Sequence, residues 1–285
     1  MKDAWGRTIE YVRLSLTDAC NFCCPYCRPA EITPQSQHQL LSVDEWMTIL
    51  GAFHQVGVKA VRLTGGEPLL YPHIEELLAR IKQTGWFEDI SMTTNGSLLA
   101  PRAAKLKELG LNRVNISLDS LDSDAFALCV GKANQLDSVL NGIQSAIAAG
   151  FTSVKINTVL SRHWTDDEVH DLLTYVETWP VIWRFIEYMP FQGDAFHGPT
   201  FDEWKAQLER VSGGPLTEVH SIYGFGPATY LALPSGKAVG FIFSMSHSYC
   251  DTCNRVRLTS DGQMRLCLLR DDEADLVSLV RNGAT

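Results

Sequence analysis

Short β-branched runs alternate with amphipathic stretches from about residue 10 to residue 190. This alternation is typical of parallel strands joined by helices. Six such units are too few to close an eight-stranded barrel, so we predict an α/β fold, a partial (β/α)6 TIM-like barrel open on one side. A doubly wound sheet is the alternative. The predicted strands are Tyr11–Leu16, Ala60–Thr64, Asp89–Thr94, Arg113–Leu118, Val154–Leu160 and Ile182–Tyr188.

Helices are predicted between these strands. Ser42, with Glu45 three residues later, forms the capping-box pattern that starts a helix. The predicted helices are Val43–Val56, His73–Thr84, Ala103–Leu109, Ser138–Ala149 and Asp166–Thr178.

The pattern changes after Pro190, and we divide the chain there into a barrel domain, residues 1–190, and a C-terminal region, residues 191–285. Asp261-Gly262 is a two-residue turn signal, which predicts a hairpin over Val256–Cys267. The other predicted elements are a helix near Asp202–Val211, strands Thr229–Leu233 and Ala238–Ser244, and a helix Glu273–Arg281.

The net charge of −9 argues against a general nucleic-acid or membrane-surface binder, and an anionic substrate would need a local cluster of Arg and Lys. No apolar run approaches the roughly 20 residues of a membrane span, and the N-terminus lacks the apolar segment of a secretory signal. We therefore expect a cytoplasmic protein without a nucleic-acid or membrane partner.

Seven of the eight cysteines fall in two tight groups near opposite ends of the chain. In a cytosolic chain of this size, clustered cysteines bind metal or do redox chemistry more often than they form disulfides. The first group spans Cys20 to Cys27 and directly follows the first predicted strand, at the carboxyl end where barrel active sites lie.

Thiolates are soft ligands that suit iron–sulfur clusters or zinc. Cys20, Cys24 and Cys27 give the spacing C-x3-C-x2-C, which leaves one iron of a four-iron cluster able to bind another ligand. A four-cysteine zinc site is the alternative, although the adjacent Cys23 and Cys24 would then have to point at the same ion.

This spacing, together with Asn21-Phe22 and Tyr26, resembles the signature of the radical S-adenosylmethionine superfamily. The resemblance implies that the three cysteines hold a [4Fe–4S] cluster, with Cys23 not a ligand. It also implies that S-adenosylmethionine binds the fourth iron and is cleaved to a 5′-deoxyadenosyl radical that takes a hydrogen atom from the substrate. The residues expected to bind this cofactor are Tyr26, Gly66, Glu67, Thr93, Asn95, Ser117 and Met189.

The second cysteine group has the spacing C-x2-C-x13-C, at Cys250, Cys253 and Cys267. A zinc ribbon with His247 as fourth ligand is one interpretation. With Asn254-Arg255-Val256-Arg257, the group also resembles the auxiliary-cluster motif of the GTP 3′,8-cyclase family of molybdenum cofactor biosynthesis. That resemblance implies a second [4Fe–4S] cluster that binds the guanine of GTP, and we expect this site to face the first cluster across the barrel mouth.

A triphosphate needs charge-assisted hydrogen-bond donors, which arginine supplies well. By resemblance, Arg255 and Arg257 are the expected catalytic residues. The expected substrate-binding residues are Arg13, Arg62, Lys155, Arg184, Arg255 and Arg257.

The chain departs from this family at three positions and in length. Ala60 replaces a lysine that is usual near the triphosphate, while Tyr71 and Cys23 stand where arginines are common. Family members continue to a C-terminal Gly-Gly tail, so we expect either a truncated form or a shorter paralogue.

The resemblance implies that the enzyme, a lyase, converts GTP to 3′,8-cyclo-7,8-dihydro-GTP after removal of the C3′ hydrogen. Expected partners are GTP, a flavodoxin-like or chemical electron donor and a downstream enzyme that forms cyclic pyranopterin; a homodimer is a further expectation. One alternative is a two-cluster paralogue acting on another nucleotide or a peptide. Another is a non-catalytic iron–sulfur or zinc scaffold.

Overall fold

The predicted strands form the parallel centre of one sheet that has twelve strands among the described residues. The computed structural model describes residues 2–3, 6–27, 40–190, 198–219, 224–267 and 273–283. Each strand pairs in parallel with the next along the chain. These strands are β1 (Tyr11–Ser15), β2 (Ala60–Thr64), β3 (Asp89–Thr94), β4 (Arg113–Ser117), β5 (Ser153–Leu160) and β6 (Ile182–Glu187).

This strand order confirms the partial barrel. A doubly wound sheet reverses its strand order at a switch point, whereas here β1 to β6 follow one another without reversal. The two outermost strands, β7 and β12, do not pair with each other in the described part of the chain, so the sheet is open.

Helices lie between the barrel strands close to their predicted positions. The capping box is present, because the Ser42 hydroxyl accepts from the Glu45 backbone N–H while the Glu45 side chain accepts from the Ser42 backbone N–H. A helix that the sequence did not predict follows Asp122 and ends at Gly131. The helices are α1 (Val43–Gln55), α2 (Ile74–Thr84), α3 (Ala103–Glu108), α4 (Ser123–Val130), α5 (Leu136–Ala148) and α6 (Asp166–Thr178).

The two faces of the sheet differ in chemistry because side chains alternate along a strand. In β1, Val12 and Leu14 are fully buried in the apolar core. Tyr11 and Arg13 point to the other face, the interior of the barrel. The alternation thus provides an apolar layer beneath the helices and a polar barrel interior.

The C-terminal region extends the barrel sheet at both edges. Strand β9 (Ala238–Ile242) pairs in parallel with β6, and β10 (Arg255–Leu258) pairs in parallel with β1. Further antiparallel strands follow outside them: β7 (Thr217–Glu218) and β8 (Thr229–Ala232) on one edge, β11 (Gln263–Arg265) and β12 (Glu273–Asp275) on the other. The proposed division at residue 190 stays a prediction.

Helices α7 (Phe201–Ser212) and α8 (Leu276–Arg281) complete the described elements. The hairpin joins β10 to β11, but its loop has three residues rather than two, since Thr259 and Gln263 still pair through their backbones. Gly262 has a φ of 84°, which suits a turn that closes with glycine in the left-handed region. The predicted helix Glu273–Arg281 is shorter, because its first three residues pair with β11 instead.

The described residues contain no helix with the length and apolar character needed to span a membrane.

Candidate active site inside the barrel

The first cysteine group follows β1 at the carboxyl end of the barrel strands. Cys20 and Cys24 are half-buried, Cys27 is exposed, and the Cys27 backbone N–H donates to the Cys24 carbonyl at 3.0 Å. Burial raises the pKa of the Cys24 thiol well above its usual value, and the negative charges of Asp119, Cys27 and Cys20 raise it further. These thiols act on one another electrostatically, and a bound metal centre would supply the positive charge that makes them thiolates.

Cys23 is held differently from its three neighbours. Its side chain is exposed, and its backbone N–H donates to the Val130 carbonyl at the end of α4. A Cβ on Gly131 would lie 2.5 Å from the Cys23 carbonyl oxygen, so α4 fixes the Cys23 backbone by close contact.

The paired glycines after β2 support the base of the cysteine loop. The backbone N–H of Gly66 donates to the Thr17 carbonyl at 2.7 Å, and that of Glu67 donates to the Ala19 carbonyl at 2.8 Å. A Cβ on Gly66 would lie 2.3 Å from the Ala19 oxygen, which no side chain tolerates. Gly66 therefore positions the segment that leads into Cys20.

The Glu67 side chain is fully buried and ties the loops after β2 and β3 together. Its carboxylate accepts hydrogen bonds from the Leu69 backbone, the Thr94 hydroxyl and the Asn95 backbone at 2.7 to 3.0 Å. Burial raises the pKa of this carboxyl, while the Asn95, Thr94 and Leu69 hydrogen bonds lower it.

Asn95 connects this network to the cysteine loop. Its side-chain amide donates to the Asn21 side chain at 2.8 Å and lies 3.9 Å from the Cys20 sulfur. The Phe22 backbone N–H also donates to the Cys20 sulfur, at 3.4 Å. N–H groups directed at sulfur stabilise a thiolate and help to set the potential of a bound cluster.

Tyr26 links the cysteine loop to β4 and β5. Its hydroxyl donates to the buried carboxylate of Asp119, which also accepts from the Val159 backbone at 2.8 Å. Burial raises the pKa of Asp119 to about 6, although both hydrogen bonds oppose that rise. The Tyr26 ring is partly exposed while its hydroxyl is enclosed, so one end remains available to a ligand.

The second cysteine group lies at the opposite end of the barrel. Cys250 and Cys253 precede β10, which runs parallel to β1, and Cys267 follows the antiparallel strand β11. All three are thus at the amino end of the barrel strands, and the expectation that the two groups face each other across the mouth is wrong. The five residues of β1, which span about 15 Å, lie between the two groups.

Cationic side chains fill the barrel between the two groups. Arg257, Arg13 and Arg62 are register partners on the adjacent strands β10, β1 and β2 and lie in one row across the sheet. Arg184 on β6 and Lys155 on β5 are buried farther along the sheet. Arg255 lies at the amino end, with its guanidinium carbon 5.2 Å from the centre of the Tyr249 ring.

Burial and mutual repulsion lower the pKa values of three of these cationic side chains. Burial, together with the charges of Arg184, Arg113 and Arg62, lowers the pKa of Lys155 to about 6. Burial followed by the charge of Arg62 lowers the pKa of Arg184 to about 10. The pKa of Arg13 falls well below its usual value through burial and the charge of Arg257.

Neutral groups hold several of these cations. Arg184 donates to the side-chain oxygens of Asn157 and Asn115 at 2.6 to 2.9 Å. Arg62 donates to the Ser91 hydroxyl at 3.2 Å. In the described part of the chain, no carboxylate forms an ion pair with Arg13, Arg62, Arg184, Arg255 or Arg257, and their positive charge is left for an anion.

Four buried polar atoms in the barrel strands lack a hydrogen-bond partner among the described residues. They are the Tyr11 hydroxyl, Nε of Arg13 and the hydroxyls of Thr93 and Ser153. Buried polar groups are normally satisfied, so each exception indicates a missing ligand or solvent molecule. These atoms support a polar ligand in the barrel.

The remaining predicted residues have less specific surroundings. Ser117 ends β4 beside Asn157, and Met189 lies just beyond β6. His247, the alternative zinc ligand, packs against the Phe201 ring with 4.5 Å between ring centres.

The sequence interpretation missed two tyrosines as residues of the site. Tyr11 could have been found, since it lies two residues before Arg13 and strand alternation places both on one face. Tyr230 reaches the barrel from β8, with its hydroxyl 3.5 Å from Nζ of Lys155, and no sequence signal links them.

The donor chemistry at each end of the barrel fits an iron–sulfur cluster. Each group supplies three thiols, the first within eight residues and the second across the hairpin of β10 and β11. The first group also supplies N–H groups directed at sulfur. No three His, Cys, Asp or Glu side chains within the described ranges are arranged to bind a single metal ion.

Comparison with known proteins defines the family. The sequence profile of the radical SAM superfamily matches residues 14–176, and that of Molybdenum Cofactor Synthesis C matches residues 181–285. The Streptococcus suis protein SuiB, in its crystal structure with S-adenosylmethionine, has the same fold: the TM-score is 0.71 at 16% identity, covering 95% of this chain and 64% of that one.

Relatives named GTP 3′,8-cyclase match along almost the whole chain. The Moorella thermoacetica protein is 40% identical over 289 residues, covering 100% of this chain and 88% of its own length. The Trichodesmium erythraeum protein is 44% identical over 288 residues, covering 97% and 87%. A Pseudomonas aeruginosa protein named GTP 3′,8-cyclase 2 is 41% identical over 286 residues, covering 98% and 85%. The chain therefore belongs to the GTP 3′,8-cyclase family of the radical S-adenosylmethionine superfamily.

Proposed function

We propose that this protein is a lyase that converts GTP to 3′,8-cyclo-7,8-dihydro-GTP for molybdenum cofactor biosynthesis. The observation that carries the proposal is the set of barrel cations between the two cysteine groups, held largely by neutral partners. Such an arrangement attracts a polyanion, since the interior strengthens its electrostatic interactions. The activity named for the relatives accounts for both the cations and the cysteines.

Cys20, Cys24 and Cys27 would hold the [4Fe–4S] cluster, which when bound supplies the electron that cleaves S-adenosylmethionine into a radical able to remove a hydrogen atom. Around it, Asn95 donates toward the Cys20 sulfur, and Glu67 fixes Asn95. Tyr26 and Asp119 anchor the loop at its other end. Gly66, Thr93, Ser117 and Met189 are the further proposed cofactor-binding residues.

At the amino end, Cys250, Cys253 and Cys267 would hold a second cluster, which would supply a binding site for the guanine. Arg255 lies beside this group, and its pKa is raised because Tyr249 and Cys253 outweigh the opposing effect of burial. Arg255 and Arg257 are the proposed catalytic residues. Arg13, Arg62, Lys155 and Arg184 then hold the triphosphate and the ribose between the two clusters.

The same proposal includes residues 1–190 as the barrel domain and residues 191–285 as the auxiliary-cluster region. A flavodoxin-like electron donor, a homodimer and a downstream enzyme that forms cyclic pyranopterin are proposed partners, in a cytoplasmic location.

An anaerobic assay of the reconstituted chain with GTP, S-adenosylmethionine and dithionite tests the proposal. We expect 5′-deoxyadenosine together with a product of GTP that carries a new bond between C3′ and C8. Omitting the reductant is the control and should abolish both. If 5′-deoxyadenosine forms only with another nucleotide or a peptide, the chain is a paralogue with a different substrate.

A further inference from the structure

Tyr11 begins β1 and directs its phenol into the barrel, on the same face as Arg13. The residue is 1% exposed, and its buried hydroxyl has no hydrogen-bond partner among the described residues. A phenol can both donate and accept a hydrogen bond, so both capacities of this group are unused.

Arginines surround this phenol. The guanidinium carbon of Arg62 lies 5.3 Å from the centre of the Tyr11 ring. Arg13 lies two residues along β1 on the same face, and Arg257 and Arg62 are its register partners on the neighbouring strands. Guanidinium groups donate hydrogen bonds and cannot accept them, so none of these arginines can accept a hydrogen bond from the phenol.

The second phenol of the barrel shows the contrast. Tyr230 has its hydroxyl 3.5 Å from Nζ of Lys155 and shares a hydrogen bond with Arg184. A Cβ on Gly240 would lie 2.7 Å from Cγ of Arg184 and 2.8 Å from Cε1 of Tyr230, so the absent side chain provides the room in which the two meet. Tyr230 is thus engaged with the cations, whereas the Tyr11 hydroxyl lacks an acceptor.

We infer that the Tyr11 hydroxyl is a further substrate-binding group, which donates a hydrogen bond to a phosphate oxygen of the polyphosphate chain. Arg62 lies against the ring and Arg13 lies on the same face of β1, so an anion that these two arginines bind has its oxygens near the phenolic proton. The inference rests on the proposed function, because it takes the substrate to be a nucleoside triphosphate. It adds a neutral donor to the cationic contacts, and a hydrogen bond to a charged acceptor is among the stronger ones.

The substitution Tyr11→Phe tests this role, because it removes the hydroxyl and keeps the ring beneath Arg62. Isothermal titration of the full, cluster-reconstituted chain should show about tenfold weaker binding of both GTP and inorganic tripolyphosphate. The melting temperature without nucleotide should be unchanged or higher, because the variant loses a buried hydroxyl that had no partner. Tyr175→Phe is the matched control, because it alters a tyrosine of α6 that packs on Trp179. It should change neither the affinity nor the melting temperature.

Equal affinities of wild type and Tyr11→Phe for both anions would overturn the inference, whatever the melting temperature of the variant. A different result would contradict the proposed function and leave the role of Tyr11 intact. If wild type binds tripolyphosphate but not GTP, and Tyr11→Phe weakens the tripolyphosphate binding, then GTP is the wrong substrate and Tyr11 still contacts the phosphates.

Discussion

At the scale of single residues, the barrel separates positive charge from its usual carboxylate partners. Arg184 is held by the amide oxygens of Asn115 and Asn157, so burial fixes its position without neutralising its charge. Arg113 shows the opposite arrangement, because it forms a buried ion pair with Asp89. Both residues lie in the barrel, but only Arg184 keeps a charge that an anion can use.

The adjacent cysteines offer a matched test at this scale. Cys24→Ala should reduce the iron content after anaerobic reconstitution by about four atoms per chain and abolish S-adenosylmethionine cleavage. Cys23→Ala should retain both, since the Cys23 side chain is exposed and its backbone is held by Val130. Iron analysis and 5′-deoxyadenosine formation measure the two effects. Equal losses in both variants would show that the ligand triplet has been misassigned.

At the scale of elements, backbone contacts between loops place the cysteine group. The loop after β2 lies against Thr17 and Ala19 so closely that Gly66 cannot carry a side chain. The loop after β3 is joined to it by Glu67. Consecutive parallel strands end side by side, and these short loops therefore form one rigid surface beneath Cys20.

Gly66→Ala should lower the free energy of unfolding by about 3 kcal/mol, because the added Cβ must displace the Ala19 backbone. Chemical denaturation of the chain without metal measures this effect, so cluster loss cannot account for it. Gly226→Ala is the control, since no atom of the described residues lies within 4 Å of its added Cβ. Similar unfolding midpoints for the two variants would contradict the close contact.

At the scale of the whole molecule, the C-terminal region completes the barrel. β10 and β9 add a parallel strand to each edge of the six-stranded centre, and β10 brings Arg257 into register with Arg13. The cationic interior is therefore shared between the two parts of the chain. It opposes folding until an anion enters, because like charges are buried together.

Lys155 makes this cost depend on pH. Its pKa of about 6 in the folded chain lies below its usual value of 10.5. Between these values the unfolded chain holds a proton that the folded chain lacks, so the free energy of unfolding contributed by Lys155 rises with pH from about 6 to about 10.5. Below pH 6 both states are protonated, and the destabilisation is complete.

Lys155→Met should remove this contribution. The variant should be more stable than wild type near pH 6. Above that pH, the slope of its free energy of unfolding against pH should be smaller than that of wild type by up to about 1.4 kcal/mol per pH unit. Urea denaturation at a series of pH values measures the slope, with Lys107→Met in α3 as the control for loss of a lysine. Parallel profiles for wild type and Lys155→Met would contradict the prediction.

The sequence by itself determined the six barrel strands, five of the six helices between them and the partial barrel, because hydrophobic periodicity and capping are local. Ala60–Thr64, Asp89–Thr94 and Asp166–Thr178 have the bounds that the sequence predicts. The cysteine spacing, with Asn21-Phe22 and Tyr26, likewise indicated the superfamily, which the comparisons confirm.

Only the tertiary structure decided where these motifs lie relative to one another. Strand direction places Cys250, Cys253 and Cys267 at the amino end of the barrel, opposite the group that begins at Cys20. Sequence spacing carries no information on which edge of a sheet a distant strand joins, since that depends on long-range pairing. For the same physical reason, only the fold brings Tyr230 to Lys155 and places the row of Arg257, Arg13 and Arg62 beside Tyr11.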